Sequence, residues 1–291
     1  MDWIQGIDYT IKYTNSKNNK YDKYDKYVDI LSDKKLSSNI IKIINDSHSL
    51  CLLNFNHNLK FNNNNNNQIE YSKLKKLYIN DSKFNKQLTY LPPSLDTLYF
   101  SIFSIYNYPI NYPYTLINLQ LGNNYTCTID NLPQSLKTLY IGHKFNNSIN
   151  YLPISLITIT LGYMFNKSLD YLPNMLSEIS LSRNFNYRLD KLPVNITYIS
   201  IWGAFDYTLD NIPFTLQILF ICAIFKNKNL LNLGNNIMKL TIDQQNKYNY
   251  NSYDFTGKIK YYPKIEILKI FKKYKYIDEL YKIYRYKLVI M

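Results

Sequence analysis

The sequence predicts a mainly β repeat solenoid: coils of about 20 residues, one short parallel strand in each, and helical caps at both ends. Three observations carry this. Pro133, Pro153, Pro173, Pro193 and Pro213 follow one another at intervals of 20 residues. Each is followed three residues on by Leu or Ile (Leu136, Leu156, Leu176, Ile196, Leu216). A phenylalanine recurs in the same phase at Phe145, Phe165, Phe185, Phe205 and Phe225, with Phe84 upstream.

Elementary chemistry explains one coil. Leu139-Tyr140-Ile141 alternates apolar, polar, apolar, the pattern of a half-buried strand. Proline has no N–H and biases the preceding residue to extended backbone, so the strand begins after it. Gly142 and Gly162 suit the turn leaving the strand. A lone coil cannot bury its apolar face, but stacked coils can, with strands ~4.8 Å apart. Each inward Leu or Ile then contributes roughly 1.5–3 kcal/mol. The phenylalanines form an aromatic spine inside the coils. Asn follows Phe at Asn85, Asn146, Asn166 and Asn186, where its amide can bond the amide of the next coil or cap its own turn. This column lapses at Asp206 and Lys226.

These residues resemble the FNIP repeat, named for Phe-Asn-Ile-Pro and spelled here by Phe145-Asn146, Ile149 and Pro153. The Leu136, Leu139, Ile141 spacing also resembles leucine-rich repeats, although the Asn usual in that family falls at Lys144 and is absent. The resemblance covers residues 71–244. It implies a leucine-rich-repeat-like solenoid that binds proteins and has no enzymatic activity. FNIP repeats occur mainly in social amoebae and giant viruses of amoebae. Some members carry an F-box and act as substrate adaptors of ubiquitin ligases.

Three regions follow. Residues 1–49 are non-repeat. Asn15 to Lys26 is a polar, loosely held stretch, and Val28, Leu31, Leu36, Ile40, Ile41 and Ile44 give a helical pattern suited to an N-terminal cap. An F-box would occupy this place in the family, but no Leu-Pro opening is present and Trp3 is the one early tryptophan. Residues 50–244 are the solenoid. It opens with Leu50, Leu53 and Phe55, and the Asn62–Asn67 run reads as an inserted loop. Between Pro92 and Pro113 one extra residue falls near Ser104–Tyr106, and Tyr125-Thr126 replaces Phe-Asn in the next coil. Residues 245–291 form a basic C-terminal cap carrying 11 Lys/Arg against 4 Asp/Glu. There Ile277, Leu280, Tyr281, Tyr284 and Leu288 share one helical face.

Composition narrows the function. The chain has 291 residues and a formal charge of +13, with 31 Tyr and only 7 Gly. Abundant Lys, Asn, Ile and Tyr reflect AT-rich codons more simply than a ligand. Cys51, Cys127 and Cys222 are too widely spaced for a disulfide framework or a zinc site, and fit buried free thiols in a reducing compartment. The N-terminal MDWIQGIDYTIKY lacks the apolar core of a signal peptide, and no stretch approaches the length of a membrane span. A monomeric intracellular protein is expected, cytoplasmic, and in the host cytoplasm if viral. No phosphate-binding loop, nucleophile motif or metal spacing involving His48, His57 or His143 is present, so no cofactor, metal or catalytic residue is assigned.

Outward residues of the strands remain. In curved solenoids they line the concave face, where partners bind. Tyr, Trp and Arg dominate such interfaces. The phase singles out Tyr140, Tyr163, Glu178, Arg183, Tyr198 and Trp202, with Ser180 and Ser200 between them. A protein partner of unknown identity is the expectation, with the chain acting as a scaffold and as a substrate adaptor if it follows the family. The alternative is nucleic-acid binding through the basic tail, with Lys269, Lys272, Lys273 and Lys275 interleaved with Tyr274 and Tyr276.

Overall fold

A computed structural model describes residues 3–6, 9–13, 26–30, 49–52, 73–80, 82–88, 90–203, 205, 207–209, 211–221, 229–230, 233, 235–242, 258–259, 263–270 and 277–290. The chain divides into two compact units, residues 1–145 and 146–291. Each is a parallel β-solenoid.

The Pro-x-x-Leu motif is a β-turn. The N–H of Leu95, Leu116, Leu136, Leu156, Leu176, Ile196 and Leu216 donates to the carbonyl of the proline three residues earlier, at 3.0–3.2 Å. The turn feeds the strand, and the strand's inward residues are buried. In the first unit, β1 (Trp3–Gly6) and β2 (Tyr9–Tyr13) form an antiparallel hairpin, and β2 pairs antiparallel with β3 (Lys26–Ile30). From β3 onward the ladder is parallel. It runs through β4 (Ser49–Leu52), β5 (Lys76–Ile79), β6 (Thr97–Phe100), β7 (Asn118–Gln120) and β8 (Thr138–Tyr140).

The second unit repeats the plan. β9 (Thr158–Thr160), β10 (Glu178–Leu181), β11 (Tyr198–Ile201) and β12 (Ile218–Ile221) pair in parallel, and Ile159, Ile179, Ile199 and Leu219 face one another in register. A two-residue strand β13 (Asn229–Leu230) pairs aside with β15 (Lys258–Ile259). The main ladder continues through β14 (Lys239–Ile242), β16 (Ile267–Ile270) and β17 (Leu288–Ile290). A helix, α1 (Ile277–Tyr284), lies between the last two strands.

Of the helical caps expected at the two ends, the described residues show a helix, α1, at the C-terminal one. Val28 lies on a strand, because Val28-Asp29-Ile30 alternates and joins the ladder at Leu50. Leu31, Leu36, Ile40, Ile41 and Ile44 fall outside the described residues, as do Asn15–Asp25 and the asparagine run. At the other end Leu268 and Ile270 are buried like the inward residues of an ordinary coil. Leu288 is not on the helix face: it pairs with Leu268 on β17. α1 buries Leu280 and Tyr284, three and seven residues after Ile277, while Tyr281 faces water.

The interior is the aromatic spine. Phe84, Phe145, Phe165, Phe185 and Phe205 are fully buried, and Phe225 lies outside the described residues. In the second unit Phe185 stacks between Phe165, at 6.3 Å and 6°, and Phe205, at 6.4 Å and 11°. In the first unit Tyr106 takes this role, stacked 5.9 Å from Phe84 and 4.7 Å from Phe100. The longer coil thus absorbs its extra residue by moving the aromatic along, leaving Ser104 buried in the phenylalanine phase.

The asparagine column bonds the backbone of the following coil. Asn166 N–H donates to Asn146 Oδ1 at 2.9 Å, and Asn186 N–H to Asn166 Oδ1 at 3.0 Å. Tyr106-Asn107 is the shifted equivalent, with Thr126 N–H donating to Asn107 Oδ1 at 2.8 Å. Gly142 is required by close approach: a Cβ there would collide with the Gly122 carbonyl.

Candidate functional site

With the inward residues consumed by packing, chemistry available to a partner lies on the outward faces. Each strand sends alternate residues outward. In the second unit two outward columns result. One runs Glu178, Tyr198, Ile218, Lys239, Ile267, and the other Ser180, Ser200, Phe220, Thr241, Lys269. Parallel neighbours lie ~4.8 Å apart, so these side chains form a continuous surface.

Of the six residues singled out by phase, Glu178 and Tyr198 are directly paired across β10 and β11. Glu178 is exposed and accepts a hydrogen bond from Thr158 Oγ1 at 3.2 Å. Trp202 follows β11 and is 49% exposed, with Nε1–H donating to Ser200 Oγ at 3.1 Å. That bond explains why Ser200, expected outward, is buried: the indole covers it. Tyr163 and Arg183 occupy successive turns, the Asn184 N–H donating to the Tyr163 carbonyl at 3.2 Å. The Trp202 turn packs next, so tightly that a Cβ on Gly203 would collide with the Arg183 carbonyl. Glu178, Arg183, Tyr198 and Trp202 are therefore brought onto neighbouring coils, with Tyr163 one turn further.

Tyr140 belongs to the first unit. It stands on β8 opposite Gln120, in an outward column that includes Tyr78 and Tyr99, whose rings are 5.8 Å apart. Burial, with a smaller push from Tyr99, raises its phenol above the usual value.

Sequence reasoning overlooked Ile218 and Phe220. The Phe220 ring lies 4.9 Å from the Trp202 ring at 41°, so the two form one aromatic cluster. The alternation of Ile218-Leu219-Phe220-Ile221 was the available signal. A polar column two residues after proline was also overlooked. Ser135 Oγ lies 2.6 Å from the Tyr114 carbonyl and 2.7 Å from that of Leu116; Thr215 Oγ1 lies 2.5 Å from the Val194 carbonyl and 2.9 Å from that of Ile196. Ser94 and Thr115 bond the preceding coil likewise.

A groove of about 340 Å³ runs along this turn edge, lined by Asn195, Thr197, Thr215, Gln217, Asn236, Met238 and Lys264. Several of its polar groups already serve neighbours: Asn195 bonds the Asn174 carbonyl, Asn236 that of Phe214, and Lys264 Nζ the Asn236 Oδ1 at 2.6 Å. It reads as coil-to-coil fastening.

Among the described residues no group of three His, Cys, Asp or Glu could hold a metal, and no helix is long and apolar enough to cross a membrane. Cys51 is buried, but Cys127 is partly exposed, because it lies beyond the buried Tyr125 where the chain turns outward. Its thiol lies 3.4 Å from Asn107 Oδ1, and burial pushes it up. Cys222 falls outside the described residues.

The coil geometry can now be set beside known proteins. Residues 127–164 match the FNIP repeat family. That stretch carries the FNIP repeat. Its fold is similar to that of CroV588, a circular leucine-rich-repeat protein of a giant virus, with a TM-score of 0.68 at 22% identity. The match covers 92% of this chain and 38% of that one, so the chain spans well under half of that protein's length. YopM from Yersinia enterocolitica matches more remotely, with a TM-score of 0.38, 19% identity, and 59% and 42% of the two chains covered. No curated protein matches. The leucine-rich-repeat-like FNIP fold is of the kind used for protein–protein interaction.

Proposed function

We propose that this FNIP-repeat chain is a non-catalytic scaffold that captures a protein partner on the outward face of the second unit's strands. The observation that carries the reading is the exposed Trp202 ring on the half-buried Phe220, on the same parallel ladder as the half-buried Tyr198. Aromatic anchors on ordered elements lose little entropy on binding and dominate interface energetics. Arg183 and Glu178 border the cluster with opposite charges that can set a partner's orientation. Tyr163 extends it by one turn, and Tyr140 offers a separate contact on the first unit. On this reading the chain works as an intracellular monomer, and the family resemblance suggests a substrate-adaptor role.

The test is affinity purification from native or infected cells with the wild-type chain and with Trp202→Ala plus Arg183→Ala. A partner lost from the double variant, with an unchanged melting curve, supports the reading. A full set of partners retained by the variant would refute this face.

A further inference from the structure

The outward face of the second unit is not uniform, and its gradient names the chemistry of the occupant. Along the ladder it passes from Thr158, Thr160 and Glu178 on β9 and β10, through Tyr198, Trp202, Ile218 and Phe220, to Lys239 on β14 and Lys269 on β16. The two lysines are exposed, while inward-facing Leu240 and Leu268 anchor their strands. They sit in the two different outward columns, one strand apart: Lys239 directly follows Ile218, and Lys269 follows Phe220 with Thr241 between them. Among the described acidic residues, Glu178 stands at the opposite margin, and the exposed Glu266 lies at the edge of the face, one residue before Ile267, with its N–H on the Met238 carbonyl.

We infer that this face takes an acidic, apolar peptide segment. It would seat a large aliphatic or aromatic side chain on Ile218, Phe220 and Trp202 and direct one or two carboxylates to Lys239 and Lys269. The inference rests on the scaffold reading and deepens it. Charge complementarity argues for it: the chain carries +13, and here two cations border an apolar seat without a carboxylate between them. A nucleic-acid track would need a longer row of cations than Lys239 and Lys269. Ile218 and Ile267 offer aliphatic surface instead.

The experiment pans a phage-displayed random dodecapeptide library on the full chain. Enriched peptides are then titrated by fluorescence anisotropy against wild type, Lys239→Glu/Lys269→Glu and Trp202→Ala/Phe220→Ala. Both lysines are exposed, so the charge reversal should leave the melting curve in place. Enriched peptides should carry Asp or Glu next to Leu, Ile, Phe or Trp, and each double variant should weaken them about tenfold or more. A peptide with its carboxylates changed to lysine should prefer the charge-reversed chain. Neutral or basic peptides that depend on Trp202 and Phe220 but ignore the lysine reversal would sink the acidic specificity and leave the scaffold reading standing. No peptide sensitive to Trp202→Ala/Phe220→Ala would sink both. Binding of a 20-nucleotide oligo-dT lost with the same substitutions, or a dimer seen by light scattering that they dissociate, would assign the face to nucleic acid or to a second copy and overturn the inference.

Discussion

A methyl group has no room at Gly142, where the turn of one coil lies on the Gly122 carbonyl of the coil before. Gly142→Ala must push two backbones apart and should cost roughly 1–3 kcal/mol by urea denaturation. An unchanged midpoint would show that the turns are not in contact. A second residue-scale consequence concerns protons. Tyr125 occupies the phenylalanine phase and Tyr112 the position of leucine before proline, so both phenols join that of Tyr106 in the first unit's interior. Burial pushes Tyr125 from 10.0 to about 12 and raises Tyr112 as well. The folded state therefore holds these protons more tightly than the unfolded chain. Their contribution is fully present below pH 10 and is lost as pH rises from there through about 12. Tyr125→Phe should flatten the fall in stability over that window. If the variant loses stability as steeply as wild type, the phenol at Tyr125 is not responsible.

At the scale of the element, two contrasts separate fastening from surface. Thr215→Val keeps the shape but removes the hydroxyl that bonds the previous coil, and should cost about 1 kcal/mol in chemical denaturation. On α1, Leu280→Ala should cost roughly 2–5 kcal/mol and Tyr281→Ala less than about 0.5 kcal/mol, because the first is buried and the second half exposed. Equal effects would mean the helix is not docked by the face observed. The sequence alone placed the helix but misassigned Leu288 and Tyr281, since a helical projection cannot tell where a helix stops and a strand begins. The inward columns were legible for the opposite reason. Every coil buries the same positions, so Leu139, Ile159, Ile179 and Ile199 recur in step, and so do the phenylalanines. Outward positions have no such obligation. Ile218 and Phe220 break the polar habit of Thr158 and Thr160, and nothing in the period announces them. The Ser and Thr column was readable from Pro-x-Ser/Thr-Leu spacing, but its role became apparent only when the preceding coil's carbonyls were in place.

At the scale of the whole molecule, a stack of coils carries its stability between neighbours, and a defect should stay where it is made. Phe185 is the sharpest place to test this, because its ring stacks on Phe165 below and Phe205 above. Phe185→Ala removes both contacts and opens a cavity worth roughly 3–5 kcal/mol locally. In a globular protein with one shared core, such a loss would speed hydrogen exchange throughout. Here the amides of Ile179 and Ile199, on strands of the Phe185 coil and the coil after it, should lose protection, while those of Leu77 and Leu98 should keep theirs. Hydrogen exchange read by mass spectrometry after proteolysis resolves these strands. Uniform acceleration across both sets would mean that the chain unfolds as one cooperative body, so that a side chain on β11 could not be altered without loosening β5. Local acceleration would mean that outward residues such as Trp202 and Lys269 can be exchanged coil by coil on a spine that stays intact.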